Sequence, residues 1–416
     1  MIDVTLTQHP VGQGGMMSGL LEVPGGRFHW LYDCGSNQID ALKREIAAVA
    51  ARGPVDCLFL SHLDSDHING IDYLLAQASV TEVVLPYLND LDRLVAAAHD
   101  AKTGALSGGF LTFLGDMAGW FAARGVERVT FIDPRDDDDD AEFPAPEFPS
   151  GGDDFEPRES RISGERDAAG AIQHKWRGGQ RPDFNVAEQL RSQLYDITVQ
   201  HLATDAILVL KSRQGTIDWL LAPFAHRPSK TQLLAFRRAM YKKFGPKYLS
   251  RLGKLIEDRA VRDEIRDFYD LVWTDHNLVS MALYAGPTIS PNWRGHCSSA
   301  PPGSWYHHPM GGAAGWLGTG DMHLDVGVRR KAFLRHYREL LDQVNVFGLP
   351  HHGSHRNFHP SVPGEMRALT QCVAAAGPNG YGHPNPDVID IVHSARRQFI
   401  QVDDTGRSVL QWRHAR

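Results

Sequence analysis

Cys57-Leu58-Phe59-Leu60-Ser61-His62-Leu63-Asp64-Ser65-Asp66-His67-Ile68-Asn69-Gly70 is the stretch on which the reading of this chain turns. Val55 to Leu60 is an apolar run of strand length, and it stops at two imidazoles and two carboxylates within six residues: His62, Asp64, Asp66 and His67. A buried strand feeding a polar turn is how α/β proteins set reactive groups at the carboxyl edge of a sheet. Asp64 and Asp66 repel each other and have no packing value, so a positive charge is expected between them. Two histidines and two aspartates offer borderline nitrogen and hard oxygen donors, which suit a divalent cation of the zinc or manganese type. The plainer alternative is a polar turn that caps a helix from Ile68 onward, with Asp66 as N-cap.

At 416 residues the chain exceeds one typical domain yet fits a single large α/β domain with insertions. No apolar run reaches membrane-spanning length, and Met1 to Leu6 has neither a basic start nor an apolar core, so a cytoplasmic protein outside the membrane is expected. Cys34, Cys57, Cys297 and Cys372 are scattered without metal or disulfide spacing and read as reduced. A net charge of −7 argues against a surface coated with nucleic acid but leaves room for a local basic groove.

Strands are expected at Val4–Leu6, Ser18–Val23, Phe28–Tyr32, Val83–Leu85 and Val129–Ile132, with helices at Ile39–Ala51, Ile71–Ala78, Leu91–Ala98 and Phe110–Ala123. Residues 134–183 then break the pattern with the aspartate run Asp136–Asp140, Pro/Gly clusters and later arginines. Such a segment cannot bury a core and reads as a disordered insertion. Residues 184–228 bring more strands, and 229–271 a helical insertion. Between His226 and Ile256 lie nine Lys/Arg and no acid, among them Arg237, Arg238, Lys242 and Lys243. This is either a solvated helix face or a phosphate-binding surface. Residues 272–416 return to strands, at Leu278–Tyr284, Trp316–Gly318, Val344–Leu349, Cys372–Ala375, Phe399–Val402 and Ser408–Trp412. A Gly/Pro/His-rich loop is expected over 287–315, and helices at Val328–Leu341 and Asp387–Arg396.

His-x-Asp-x-Asp-His resembles the His-x-His-x-Asp-His signature of the metallo-β-lactamase superfamily, with the second His replaced by Asp64. The variant looks like the hydrolase domain of bacterial competence DNA-uptake channels. Val11-Gly12-Gln13-Gly14-Gly15, Asp33-Cys34-Gly35, Thr319-Gly320-Asp321, Pro350-His351-His352-Gly353-Ser354 and Gly382-His383-Pro384 are similar to further motifs of that group, in the same order. Gly15 stands where the relatives carry an aspartate. The resemblance implies an α/β fold, an αββα sandwich, with residues 1–133 as its first half, 184–228 as sandwich strands and 272–416 as its second half.

Carried over position by position, His62, Asp64, Asp66 and His67 are metal ligands and Asp321 bridges two ions. His351 or His352 completes one coordination sphere. His276 stands where a further ligand is expected, with a surface role as the alternative. Asp33 supports the site from behind, and Asp66 and His383 are the catalytic candidates, His383 through positioning or protonating a leaving group.

The implied cofactor is a pair of divalent ions, manganese or zinc with magnesium also admissible, that activate a water as hydroxide and hold an anionic substrate oxygen. Because Asp64 hardens the site, phosphate esters are favoured, and a nuclease acting on DNA or RNA comes first. The alternatives are a small-molecule ester or cyclic-nucleotide hydrolase, and an inactive metal-binding module. The 134–183 insertion is a candidate restraint on the basic helix, released by a protease partner at its arginines and lysines.

Overall fold

The computed structural model describes residues 2–88, 93, 108–136, 172–178, 194–212, 215–227, 230–246, 248, 260–261, 264, 267–268, 279–288, 293–299, 308–310 and 312–416. In the first half the order is β1 (Asp3–Gln8), β2 (Met17–Val23), β3 (Gly26–Tyr32), α1 (Ile39–Ala50), β4 (Val55–Phe59), α2 (Ser65–Ile68), α3 (Ile71–Leu75), β5 (Val80–Pro86), α4 (Gly108–Gly115), α5 (Met117–Ala122) and β6 (Arg128–Ile132). Then come β7 (Arg135–Asp136), β8 (Gln173–Arg177), β9 (Thr198–Leu202), β10 (Ile207–Ser212), β11 (Gly215–Arg227) and α6 (Lys230–Phe244). The second half holds β12 (Ser280–Gly286), β13 (Arg294–Ser299), β14 (His308–Met310), β15 (Gly315–Gly318), α7 (Gly327–His336), β16 (Val344–Gly348), β17 (Gln371–Ala375), α8 (Pro386–Ser394), β18 (Gln398–Val402) and β19 (Leu410–Ala415).

The strands form two sheets, ordered β14-β13-β19-β1-β2-β3-β4-β5-β6-β9 and β18-β17-β16-β15-β12-β11-β10-β8, with β7 beside β11. Three apolar layers hold four layers of structure together. Leu42, Ile46 and Val49 of α1 pack with Phe113, Phe121, Phe236 and Met240 on the outer face of the first sheet. Trp30, Phe59, Trp219, Trp316 and Trp412 fill the space between the sheets. Phe333, Tyr337, Val388 and Val392 bring α7 and α8 onto the outer face of the second sheet. The result is the α/β/β/α sandwich that the resemblance implies. All four cysteines are buried and unpaired. Among the described residues no helix is long and apolar enough to cross a membrane.

Three expectations are corrected. The helix expected over Phe110–Ala123 is two, because Asp116 caps α5 with its carboxylate accepting from Gly119 N–H at 3.1 Å. The loop expected over 287–315 contains β13 and β14, and β13 pairs antiparallel with β19, covering what would be an open sheet edge. The third correction lies inside the stretch read as a disordered insertion. Gln173–Arg177 is a strand paired with β10, so Lys175 and Arg177 stand in a sheet rather than in a protease-accessible loop. Apart from residues 134–136, 172 and 178, the remainder of that insertion, with most of its aspartate run and the restraint assigned to it, lies outside the described residues, as does the helix expected at Leu91–Ala98 apart from Arg93.

Strand β8 is held by a buried charge. Glu82 of β5 is fully enclosed, and its carboxylate accepts from Trp176 Nε1 (2.7 Å), Arg128 Nη1 (3.3 Å), Gln200 Nε2 (3.4 Å) and Thr130 Oγ1, and pairs with His174 Nε2 at 3.0 Å. Burial alone would push this carboxyl up, but His174, Arg128 and Thr130 outweigh it and bring it down to about 2. Cys57, Glu82 and His174 stand close enough for a metal. The carboxylate is nonetheless saturated with donors and already faces a guanidinium, so the cluster is an ion-pair lock between the sheets.

Removing one partner of such a pair strands the other charges, so Glu82→Ala should cost about 3–5 kcal/mol, read from the urea midpoint. A folded-state value depressed below the ordinary 4.5 gives stability that is present above 4.5 and lost as pH falls towards 2. Glu82→Gln should flatten that acid-range loss; an unchanged slope would contradict the lock.

Candidate metal centre

The polar turns singled out in the sequence follow β3, β4, β15, β16 and β17. Pairs β3–β4, β15–β16 and β16–β17 are parallel, so these turns lie at the carboxyl ends of their strands. The sheets are tied together at this point. Met281 N–H donates to Ser61 O (2.8 Å), and Tyr32 Oη donates to Met281 O (2.6 Å).

Four imidazoles point their Nε2 atoms inward because each Nδ1 is engaged from behind. His67 Nδ1 donates to Asp33 Oδ2 (2.8 Å), His352 Nδ1 to Ala375 O (2.8 Å), and His351 Nδ1 to Asn357 Oδ1 (3.1 Å). His62 Nδ1 donates to Ser61 Oγ (2.8 Å), and that hydroxyl donates to Asp33 Oδ2 (2.7 Å). Asp33 thus stands behind both histidines of the first motif. On the inner side, His62 Nε2 is 3.6 Å from Asp64 Oδ2 and 3.5 Å from Asp321 Oδ2. His351 Nε2 lies 3.5 Å from the same Asp321 oxygen. His67 Nε2 is 3.6 Å from Asp321 Oδ1, and His352 Nε2 is 3.5 Å from Asp66 Oδ2. Around Asp321 the donors fall into two half-sites: His62 and His351 at Oδ2, with Asp64 beside His62, and His67 at Oδ1, with Asp66 and His352 grouped around it.

The alternative of a capped polar turn fails. The N-cap position of α2 belongs to Asp64, not Asp66, and its carboxylate makes no capping bond. His351 and His352 both turn Nε2 toward the centre, His351 to Asp321 and His352 to Asp66. The backbone explains how neighbours do this: both adopt left-handed conformations, with φ of 47° and 57°. Such conformations cost about 1–3 kcal/mol each in non-glycine residues. His351 N–H donates to Gly320 O (2.9 Å), which ties the strained turn to the one carrying Asp321. Gly320 itself has φ +51°, and a Cβ there would lie 2.7 Å from Ser61 Cβ. At Gly15, where the relatives carry an aspartate, a Cβ would lie 2.7 Å from His67 Nδ1 and 2.8 Å from Asp33 Cβ. No acid fits, because Asp33 fills that space.

Charge is balanced by proximity. Burial pushes His67 down, but Asp33, Asp321 and Asp66 outweigh it and lift it to about 10. Burial and the neighbouring His67 lower His62. Burial raises Asp321 and Asp66, yet the surrounding imidazoles hold both well below the carboxylate range. Burial, with His351 and His352 beside it, lowers His383 to about 4, so near neutrality its ring is uncharged. That suits positioning a leaving group better than protonating one.

His276 lies outside the described residues. On α6, Arg237, Arg238, Lys242 and Lys243 are exposed, but Lys243 pairs with Glu264 at 2.8 Å and Arg237 bonds to Tyr248. The acid-free run is thus partly compensated from beyond its end. Sequence reasoning missed Ser61 and Asn357. Asn357 accepts from His351 and donates from Nδ2 to Asp321 O (3.0 Å), linking the two turns. A buried asparagine six residues past His351 carries no signal of its own.

The family model of the metallo-beta-lactamase superfamily matches residues 12–155, which hold the His62–His67 motif and Asp33. That stretch, about a third of the chain, is thus similar to a metallo-β-lactamase domain. Its two-sheet, four-layer build is the fold of that superfamily, whose members are typically metal-dependent hydrolases. Among solved structures, the metallo-beta-lactamase fold protein YhfI from Bacillus subtilis aligns over 99% of both chains at 10% identity, with a TM-score of 0.35, too remote for residues to be matched. No curated protein matches the chain. None of these comparisons bears on the likeness to competence-channel hydrolases.

A metallo-β-lactamase fold implies divalent metal ions, and the residues present fit them. The Nε2 atoms of His62, His67 and His352 are buried and make no hydrogen bond. Their separations of 3.5–3.6 Å from carboxylate oxygens exceed hydrogen-bond length. They are close to the edge of about 3.4 Å between two donors that share one cation at about 2.1 Å. His62, His67 and Asp321 form one such group, and Asp66, His67 and His352 another.

Metal-stripped protein titrated with Mn²⁺ or Zn²⁺ in a calorimeter should take up two ions per chain. Asp33→Ala, which removes only the support behind His67 and Ser61, should weaken uptake about 10–100-fold. Unchanged affinity in that variant would remove Asp33 from the centre.

Proposed function

We propose that this metallo-β-lactamase protein is a metal-dependent phosphodiesterase that acts on nucleic acid. The observation that carries the reading is Asp64, a carboxylate in place of the superfamily's second histidine, whose Oδ2 lies 3.6 Å from His62 Nε2, itself 3.5 Å from Asp321 Oδ2. Each half-site then offers two imidazoles and two carboxylate oxygens, one of them from the shared Asp321. An oxygen-rich set favours hard cations and hard, anionic substrates over thioesters or lactams. When bound, two divalent cations there would neutralise phosphate charge and lower the pKa of the attacking water.

The chain's own residues do the rest. Asp66, held ionised by His67 and His352, suits ligation and orientation of the attacking water rather than storage of its proton. His383, neutral and with its ring centroid 5.2 Å from that of His351, offers a hydrogen bond to the leaving oxygen. Arg238 and Lys242, exposed on α6, supply cations for a polyanion. A small-ester reading would gain from a roof over the site. The described parts of the 287–315 segment instead extend the first sheet beyond β19.

Irving–Williams affinities place zinc above manganese for any such set, so the metal preference concerns activity rather than binding. Reconstituted with Mn²⁺, the protein should cleave single- or double-stranded DNA, RNA or bis-p-nitrophenyl phosphate faster than with Zn²⁺. Asp64→Ala should reduce that rate at least a hundredfold while leaving thermal unfolding of the metal-free protein nearly unchanged. Full activity in Asp64→Ala would overturn the reading. Charge reversal at Arg238 and Lys242 should weaken binding of an oligonucleotide and lower its salt slope by about 2, with turnover of the small diester unaffected. Equal losses on both substrates would return α6 to a purely structural part.

A further inference from the structure

Tyr381 stands out because most of its ring is left outside the fold. Its side chain is 70% exposed, although a ring of that size is expensive to leave in water. The loop that carries it is nonetheless firmly built. Asn379 Oδ1 accepts from the N–H groups of Tyr381 (2.9 Å) and His383 (3.2 Å). Asn379 Nδ2 donates to Gly377 O (2.9 Å) and His383 O (2.7 Å). At one end Gln38 Nε2 donates to Pro378 O (3.2 Å); at the other, Asn385 N–H donates to Gly353 O (3.0 Å), in the turn that carries His351 and His352. A ring held out on a braced loop loses little freedom when something settles on it.

Its position gives the occupant. Tyr381 lies over His383 with ring centroids 6.3 Å apart and planes 21° from parallel, and His383 lies 5.2 Å from His351. His351 Nε2 is in turn 3.5 Å from Asp321. Two ring steps therefore separate an exposed aromatic face from the carboxylate shared by the half-sites. A single strand leading outward from the centre would pass that face within a few nucleotides of the phosphate held there. We propose that Tyr381 is the platform on which a nucleobase a few nucleotides from the scissile phosphate stacks, a claim that rests on the phosphodiesterase reading. Every base presents a π face, so the platform confers preference for unpaired nucleotides without preference for sequence. Tyr381 is a specificity residue: it holds the substrate in register with the metal centre and takes no part in bond breaking.

The test uses full-length, Mn²⁺-loaded protein. Tyr381→Ala should raise KM for single-stranded oligothymidylate about 5- to 100-fold, with kcat nearly constant, while Tyr381→Phe and Tyr381→Trp stay near wild type. On an oligomer of equal length built from abasic sugars, wild type and Tyr381→Ala should share one KM. A phosphorothioate oligonucleotide carrying 2-aminopurine should lose fluorescence on binding wild type and keep it with Tyr381→Ala. Equal damage on the abasic oligomer, a Tyr381→Phe variant as impaired as Tyr381→Ala, or unquenched 2-aminopurine would each overturn the platform. Should the protein cleave no diester, the phosphodiesterase reading fails by itself, and the quench still decides whether a base stacks on Tyr381.

Discussion

One carboxylate organises this molecule. Asp321 sits at the carboxyl end of β15, buried between sheets that approach each other through the Ser61–Met281–Tyr32 bonds, and its two oxygens face two different sets of side chains. A buried carboxylate is costly unless positive charge or donors surround it. Here four imidazoles from both sheets supply that surrounding, and their own Nδ1 atoms are fixed by Asp33, Ser61, Asn357 and Ala375. The arrangement leaves buried nitrogen atoms of His62, His67 and His352 facing carboxylates at distances too long for hydrogen bonding. Divalent cations held between them would satisfy both sets of donors.

Three of the five described non-glycine residues with left-handed backbone gather at the site, Asp196 and Arg396 being the others. Asp33, His351 and His352 all have left-handed backbones, and all three either contact the centre or support it. Together they cost a few kcal/mol. That cost is met by the apolar layers and by locks such as Glu82, whose partners include residues of β8 in the opposite sheet. Rigid turns at strand ends, rather than flexible loops, set the spacing on which the chemistry depends.

Much of this was legible in the sequence because the relevant signals are local. The run from Val55 into His62–His67 shows a strand ending in donors, and Thr319-Gly320-Asp321 repeats that pattern on the second sheet. What escaped was long-range or conformational. His351 and His352 both turn toward the centre through left-handed backbones, which no periodicity records. Strand β8 hides in a polar, glycine-rich stretch because its stabilising partner, Glu82, lies far away in sequence. Strands β13 and β14 form because β19 leaves an edge to cover, not because their own residues favour strand. Lys243 looked uncompensated only because Glu264 follows the basic run rather than interrupting it. Asn357 and Tyr381 matter through the turns that place them, and single residues of those types carry no pattern.

The most direct measurement is anomalous diffraction from crystals of the protein soaked in Mn²⁺. The account predicts two peaks flanking Asp321, one among His62, Asp64 and His351 and the other among Asp66, His67 and His352. A single peak, or a peak among either set without Asp321 as a ligand, would contradict it.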